Sequence, residues 1–376
     1  MEANKNLTLV ERVTKQLEKN KRLREEGKDI AIPFPFPRFS EEIPGIVQGR
    51  YYIVTAGTKV GKSKLSDFLF LYTPFKFIKS HNTNIKIKIL YFSLEMSKED
   101  KVKEAISHFL HLRKGIRISP DRMDSIYKSY ILENHILKAI EEVAPEIDEL
   151  FKHVEIYDNI RNPFGIYKTV RKYAHSHGHY IDAAGNVLNT QLIESGNLDE
   201  IKKIFLYIPD DPDEFVIVLI DHVSLIDAEK DQTIHQAVSD LSSKYILHMR
   251  NRWRYIPVLV QQQMLAQESV ENIKADMVRP SPAGLGENKL TSRDCDVMLG
   301  LFSPMKIKRA EWEGYNIRRM RDSFRELSVP INRRGNSVIV GLYFDGMTNS
   351  FKELPPAEEM TEEIYKIIES RNVKPI

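Results

Sequence analysis

Apolar and polar positions fall into short blocks that recur along the chain. Arg50–Thr55 (RYYIVT) is rich in β-branched and aromatic residues, and Ile85–Ser93 (IKIKILYFS) alternates before turning continuously apolar. The run FVIVLI at 215–220 is flanked by acidic residues, the pattern of a strand buried on both faces. Ile256–Gln261, Asp296–Phe302 and Ser337–Phe344 complete the set, and Val154–Tyr157 reads as a further short strand. Helical patterns separate them. They cover Lys62–Tyr72, Lys98 to about Ala144 with breaks near Gly115 and Pro120, and roughly 234–251. Strands alternating with helices predict an α/β fold with a mostly parallel twisted sheet flanked by helices.

The ends read differently. Residues 1–28 are charged and helix-prone, with a thin stripe of Leu7, Val10, Val13 and Leu17. The segment AIPFPFP at 31–37 carries three prolines and reads as a stiff extended linker, with the compact region beginning near Ile43. This divides the chain into an arm and linker (1–42), one compact domain (43–356) with an insertion at about 160–205, and a C-terminal helix or tail (357–376).

Composition narrows the class. Of 376 residues, 42% are hydrophobic and 29% charged, which excludes a disordered chain. No apolar run approaches the ~20 residues needed to span a bilayer, so no membrane partner is expected. Cys295 is the single cysteine, and no secretory signal precedes the arm, so a cytoplasmic setting is expected. Lys+Arg is 55 against Asp+Glu 53, so any nucleic-acid surface must come from local clustering.

The most specific local signal is Ala56-Gly57-Thr58-Lys59-Val60-Gly61-Lys62-Ser63, between a predicted strand and a predicted helix. Small residues let main-chain N–H groups curl around phosphate oxygens, and the helix N-terminus adds a positive dipole. In such a loop Lys62 reaches the β- and γ-phosphates of ATP and Ser63 ligates Mg²⁺. Asp221, ending the FVIVLI strand, is placed to hold the same metal. Glu95 follows the strand ILYFS at a crevice edge, where a carboxylate can accept a proton from water. Gln263, just past IPVLVQ, is a neutral amide suited to sensing a phosphate.

Four blocks now stand in order: AGTKVGKS, LYFSLEMS, VIVLIDHVSLI and IPVLVQQQ. Together they resemble the C-terminal RecA-like motor domain of DnaB-type replicative DNA helicases, with the Ser-Leu-Glu-Met block the most telling. LGENKLTSRDCDVMLGLF looks like the family's stretch ending in two aspartates, here Asp294 and Asp296 with Glu287 upstream. INRRGNSVIVGLYFDGMTNSFKEL resembles its closing basic turn and hairpin. The resemblance covers about 43–354. It implies a RecA-like P-loop NTPase core that forms a homo-oligomeric ring, expected to be a hexamer, and hydrolyses ATP at subunit interfaces. The ring then moves on single-stranded DNA during replication, alongside other replication proteins. It further implies Glu95 as the catalytic carboxylate, Asp221 with Ser63 at magnesium, and Arg333, or its neighbour Arg334, as the finger reaching the next subunit's γ-phosphate. The sequence departs from the family at Ile331 (a lysine there), Gly286 (an arginine) and Met264-Leu265 (a polar pair), and only the 1–42 arm is expected where the family carries its N-terminal primase-binding domain.

The loop at 266–290, with Lys274, Arg279 and Lys289, and the loop after Asp221 are candidates for gripping DNA phosphates. The basic run at 306–334 suggests a DNA-facing or subunit-interface segment, or equally a solvated charged face. His175, His177 and His179 fit no standard zinc spacing. Alternative readings of the same residues are a RecA-like recombinase, a small-molecule kinase with 306–334 as its lid, and a nucleotide-gated loader or scaffold without unwinding activity.

Overall fold

A computed structural model describes residues 8–264 and 269–372. The strands are β1 (Tyr52–Ala56), β2 (Lys86–Ser93), β3 (Val154–Tyr157), β4 (Gly178–Ile181), β5 (Leu206–Pro209), β6 (Glu214–Asp221), β7 (Ile256–Gln262), β8 (Val297–Phe302), β9 (Glu311–Trp312), β10 (Tyr315–Asn316), β11 (Phe324–Asn332), β12 (Ile339–Asp345) and β13 (Ser350–Glu353). The helices that matter below are α1 (Leu9–Glu25), α2 (Pro37–Glu42), α3 (Lys62–Asp67), α4 (Thr73–Ser80), α5 (Lys98–Lys114), α6 (Pro120–Met123), α7 (Asn134–Lys152) and α8 (Pro163–Ser176). A π-helical turn at Phe68–Tyr72 joins α3 to α4, and another at Leu241–Ile246 interrupts the helical run from Ile234 to Trp253.

Nine strands form one sheet in the order β13-β12-β11-β8-β1-β7-β6-β2-β3. From β8 to β3 every pairing is parallel, whereas β11, β12 and β13 pair antiparallel. Each strand of the predicted set is present. The sequence reading missed β11 because its core residues lie inside a stretch dominated by arginine and lysine. Side chains of β6 show why its sequence is continuously apolar. Phe215, Ile217 and Leu219 enter the core on one face, while Val216, Val218 and Ile220 enter the core on the other. Burying each such side chain contributes about 1.5–3 kcal/mol.

The proline-rich segment is not a linker. Ile32, Phe34 and Phe36 are buried while Pro33, Pro35 and Pro37 face out. This two-residue alternation is that of an extended segment laid on a core. Ile32 bridges Ile46 through main-chain hydrogen bonds of 3.0 and 2.8 Å. The approach is close enough that a Cβ at Gly45, where φ is +99°, would lie 2.0 Å from the Ile32 carbonyl oxygen. The compact region therefore begins at Ile32 rather than Ile43. By contrast α1, closed by a Thr8–Glu11 capping box, leaves Val10, Val13 and Leu17 exposed. At the other end, Tyr365 and Ile368 of the helix Glu362–Asn372 pack with Trp312, Tyr315 and Phe324 in a third cluster.

Deleting residues 1–28 should leave the urea unfolding midpoint essentially unchanged. Deleting 1–40 also removes Ile32, Phe34, Phe36 and Phe39, together about 6–12 kcal/mol of burial against a typical total stability of 5–15 kcal/mol. That variant should lack a cooperative transition by circular dichroism; equal behaviour of the two truncations would contradict this packing.

Candidate active site

Parallel register brings the carboxyl ends of four strands to one edge. Ala56 of β1 lies beside Gln262 of β7, and Ser93 of β2 lies beside Asp221 of β6. The loop 57–61 leaves β1 there and turns into α3. Lys59 (φ +59°) and Gly61 (φ +110°) curl it, and the ring of Phe344 backs Gly61, where a Cβ would sit 3.2 Å from the ring. The first N–H groups of α3 have no intrahelical acceptor and point into this curl. The donor set, amides plus a lysine without a carboxylate partner among the described residues, fits a polyphosphate.

Ser63 donates its hydroxyl to Asp221 Oδ1 at 3.0 Å, joining the two groups expected to share a magnesium ion. Glu95 stands at the same edge, half exposed, with its Oε2 3.3 Å from Nε2 of His222. Burial holds the His222 imidazole below its usual range, with Lys62 adding to this and Asp221 and Glu95 opposing it. A neutral ring can donate Nε2–H to Glu95 and so orient it.

The two glutamines divide differently from expectation. The amide of Gln263 is buried, donating to Thr55 Oγ1 (3.0 Å) and the Ser281 carbonyl (3.1 Å) and accepting from Ser281 N–H (3.2 Å). It is Gln262 that reaches the phosphate loop, donating to Thr58 Oγ1 at 2.7 Å. Adjacent residues on a strand point to opposite faces, so it is the side chain one residue earlier that meets the loop.

Two further residues brace the loop from outside. Arg325 of β11 is 1% exposed, donates to the Val60 carbonyl at 2.7 Å and lies over the Phe344 ring at 4.6 Å. Lys306 donates to the Thr58 carbonyl at 2.6 Å. In the sequence Arg325 sits among the charged residues of 318–326, and the one signal for a strand there is the alternation of Leu327, Val329 and Ile331 that follows. Other cations of the expected DNA-facing or interface segments are also internal ties. Arg319 pairs with Glu362 and Glu369, Arg309 with Asp276, and Arg279 with Glu326 and Glu313 while stacking on Trp312. Arg318, Arg321, Lys274 and Lys289 are exposed, and residues 265–268 of that loop lie outside the described residues.

Arg333 and Arg334 sit in the β11–β12 turn. Asn332 is in register with Val297 at the start of β8, whereas Leu301 near the end of β8 is beside Ala56. The pair therefore lies across the sheet from its own phosphate loop. Arg333 donates its N–H to the Asp296 carbonyl (3.0 Å) and its guanidinium contacts the Arg293 carbonyl. Asp294 and Asp296 serve this far edge, accepting from Ser242 (2.7 Å) and from Tyr51 N–H (2.9 Å) and Arg250 (3.1 Å). His175 is bonded to Glu194 and Tyr180, and His177 stacks on Tyr173.

No protein-family model and no curated protein sequence matches the chain. Solved structures share its architecture. The ATPase domain of a DnaB-like helicase superposes with a TM-score of 0.64 at 16% identity, over 93% of this chain and 100% of its own. A DnaB-like replicative helicase, solved with attention to its interactions with primase, gives 0.64 at 16% identity over 93% of this chain and 69% of its own. The fold is that of a RecA-like ATPase domain. This agrees with the fold expected from the sequence blocks.

Behind Asp221 lies a buried ionic chain. Tyr91 donates to Asp67 (2.7 Å) and approaches Asp221 (3.4 Å); Lys101 bridges Asp67 (2.9 Å) and Glu104 (3.2 Å); Lys64 reaches Glu104 at 2.6 Å. Burial pushes the Asp67 carboxyl up to about 6 against the pull of Lys101. Burial also acts upward on Glu104, but Lys101 and Lys64 outweigh it and hold that carboxyl at about 2. Lys101→Met leaves two buried carboxylates with one lysine and should cost about 3–5 kcal/mol at pH 8. Asp67 already favours its protonated form once pH falls below about 6, so the loss in urea unfolding should shrink at pH 5. An equal loss at both values would contradict the assignment.

Proposed function

We propose that this protein is an ATP-hydrolysing motor of the DnaB-type helicase kind, acting on single-stranded DNA as a ring, of six copies in keeping with the resemblance, whose sites are completed between subunits. The observation that carries the reading is the 3.0 Å contact of Ser63 with Asp221 beneath an open curl of main-chain amides. Lys62 and the loop 56–63 would hold the triphosphate, and Ser63 with Asp221 would hold Mg²⁺. The bound ion supplies charge neutralisation at the phosphate oxygens. Glu95, oriented by His222, accepts the proton of the attacking water. Gln262, bonded to Thr58, is the amide placed to report phosphate occupancy. Arg333 and Arg334 face away from their own loop, which favours action on a neighbour's nucleotide. Arg334 has no carboxylate partner among the described residues. The exposed stripe of α1 fits docking on an adjacent copy. No helix among the described residues is long and apolar enough to cross a membrane.

Glu95→Gln should bind ATP yet hydrolyse it at least about a hundredfold more slowly. Lys62→Ala and Arg333→Ala should each be inactive, the latter by about a thousandfold. Mixing these two variants should restore part of the activity, because some interfaces then carry an intact loop and an intact arginine. Absence of rescue, with Arg334→Ala mixtures equally silent, would remove the shared site. Strand separation on a forked duplex with ATP decides between a helicase and a loader or scaffold that hydrolyses without unwinding.

Gln262→Ala should raise the KM for ATP with little change in Tm. Gln263→Ala should lower Tm, since it strips partners from Thr55 and Ser281. The reverse pattern would return the sensor role to Gln263.

A further inference from the structure

A cleft of about 1010 Å³ opens between α8 and β3, toward the amino-terminal ends of β2 and β6 and so away from the phosphate-loop edge. Two independent features meet in it. First, β3 is the last strand of the sheet and pairs only with β2, so its outer main-chain groups have no strand partner among the described residues. A free sheet edge can take an extended peptide as an extra strand, and residues of α8 supply the other wall of the cleft. Second, the charge in the cleft is unbalanced. Its acids are already engaged: Glu155 with Lys88 at 2.5 Å, Glu214 with the Tyr173 hydroxyl at 3.0 Å, and Glu194 with His175 at 2.8 Å. Its cations Lys152, Lys168, Arg171 and Lys172 have no carboxylate within ion-pairing distance among the described residues. Lys168 and Lys172 are one helical turn apart on α8, a spacing close to that of alternate side chains on one face of an extended segment.

We infer that this cleft docks an extended acidic peptide of a partner protein, added as a strand to the free edge of β3 with its carboxylates against α8. The same cations could attract nucleic acid, but both tyrosine rings in the cleft already have one face covered. Tyr173 stacks on His177 at 3.9 Å and Tyr157 on Phe92 at 5.0 Å. An added strand uses the unpaired main chain of β3, which a nucleic-acid strand would leave idle. The inference does not rest on the ATPase reading.

The test is fluorescence anisotropy with a labelled peptide alternating glutamate with valine and threonine. The full-length protein should bind it with an affinity that falls as salt rises. The double variant Lys168→Glu, Lys172→Glu should weaken binding about tenfold or more while leaving ATP hydrolysis unchanged. A peptide N-methylated at alternate residues should lose binding to the unaltered protein, and bound peptide should slow amide exchange at residues 154–157. Equal binding of a lysine-for-glutamate peptide, insensitivity to both the charge reversal and the methylation, or displacement of peptide by an oligothymidylate whose own binding depends on Lys168 and Lys172 would each overturn the proposal.

Discussion

Parallel pairing sends the carboxyl end of every strand to the same side of a sheet, and this constraint governs the molecule. The phosphate loop, Asp221, Glu95 and Gln262 come from segments up to about two hundred residues apart in sequence. They meet because β1, β7, β6 and β2 are in parallel register. The hydrogen bond from Ser63 to Asp221 spans 158 positions and closes that meeting point. Helix α3 departs from the same place, so its free amides and the carboxylates address one volume. The buried chain from Asp221 through Tyr91 and Asp67 to Lys101 then fixes α3 against β6 and α5.

Most of the fold was readable because parallel strands buried on both faces leave unbroken apolar runs, as in FVIVLI. The phosphate loop was readable because its glycine and lysine spacing is dictated by main-chain geometry. Two features were hidden for physical reasons. Arg325 belongs to a core strand, yet a cation reads as exposed unless its acceptors, here the carbonyls of Val60 in the loop and of Asp322 and Phe324, are known. Gln263 and Gln262 differ only in which face of the sheet each side chain takes, a choice set by register rather than by residue type. In the prolyl segment the signal was present. Phenylalanine and proline alternate with the two-residue period of an extended chain, but the prolines outweighed it in the reading.

The arginines show how little charge density alone says about a surface. Arg319 clamps the C-terminal helix, Arg279 holds β11 to a neighbouring turn, and Arg325 and Lys306 support carbonyls of the phosphate loop. A planar guanidinium can satisfy several acceptors at once, which suits it to tying elements together inside a protein. Among the described residues, cations without an ion pair of this kind include Lys168 and Lys172 on α8, Lys308, Arg318 and Arg321, and Arg334 in the β11–β12 turn.

The anchorage of Ile32 also sets a leash. Between the end of α1 at Glu25 and the fixed Ile32 lie six residues, which fully stretched span at most about 22 Å. Leu17, the near end of the exposed stripe, stands eight residues before Glu25, about 12 Å farther along the helix, so the reach of the stripe is set by the leash and that rise together. Lengthening or shortening this stretch would move the stripe relative to the core while leaving the stripe's own residues unchanged.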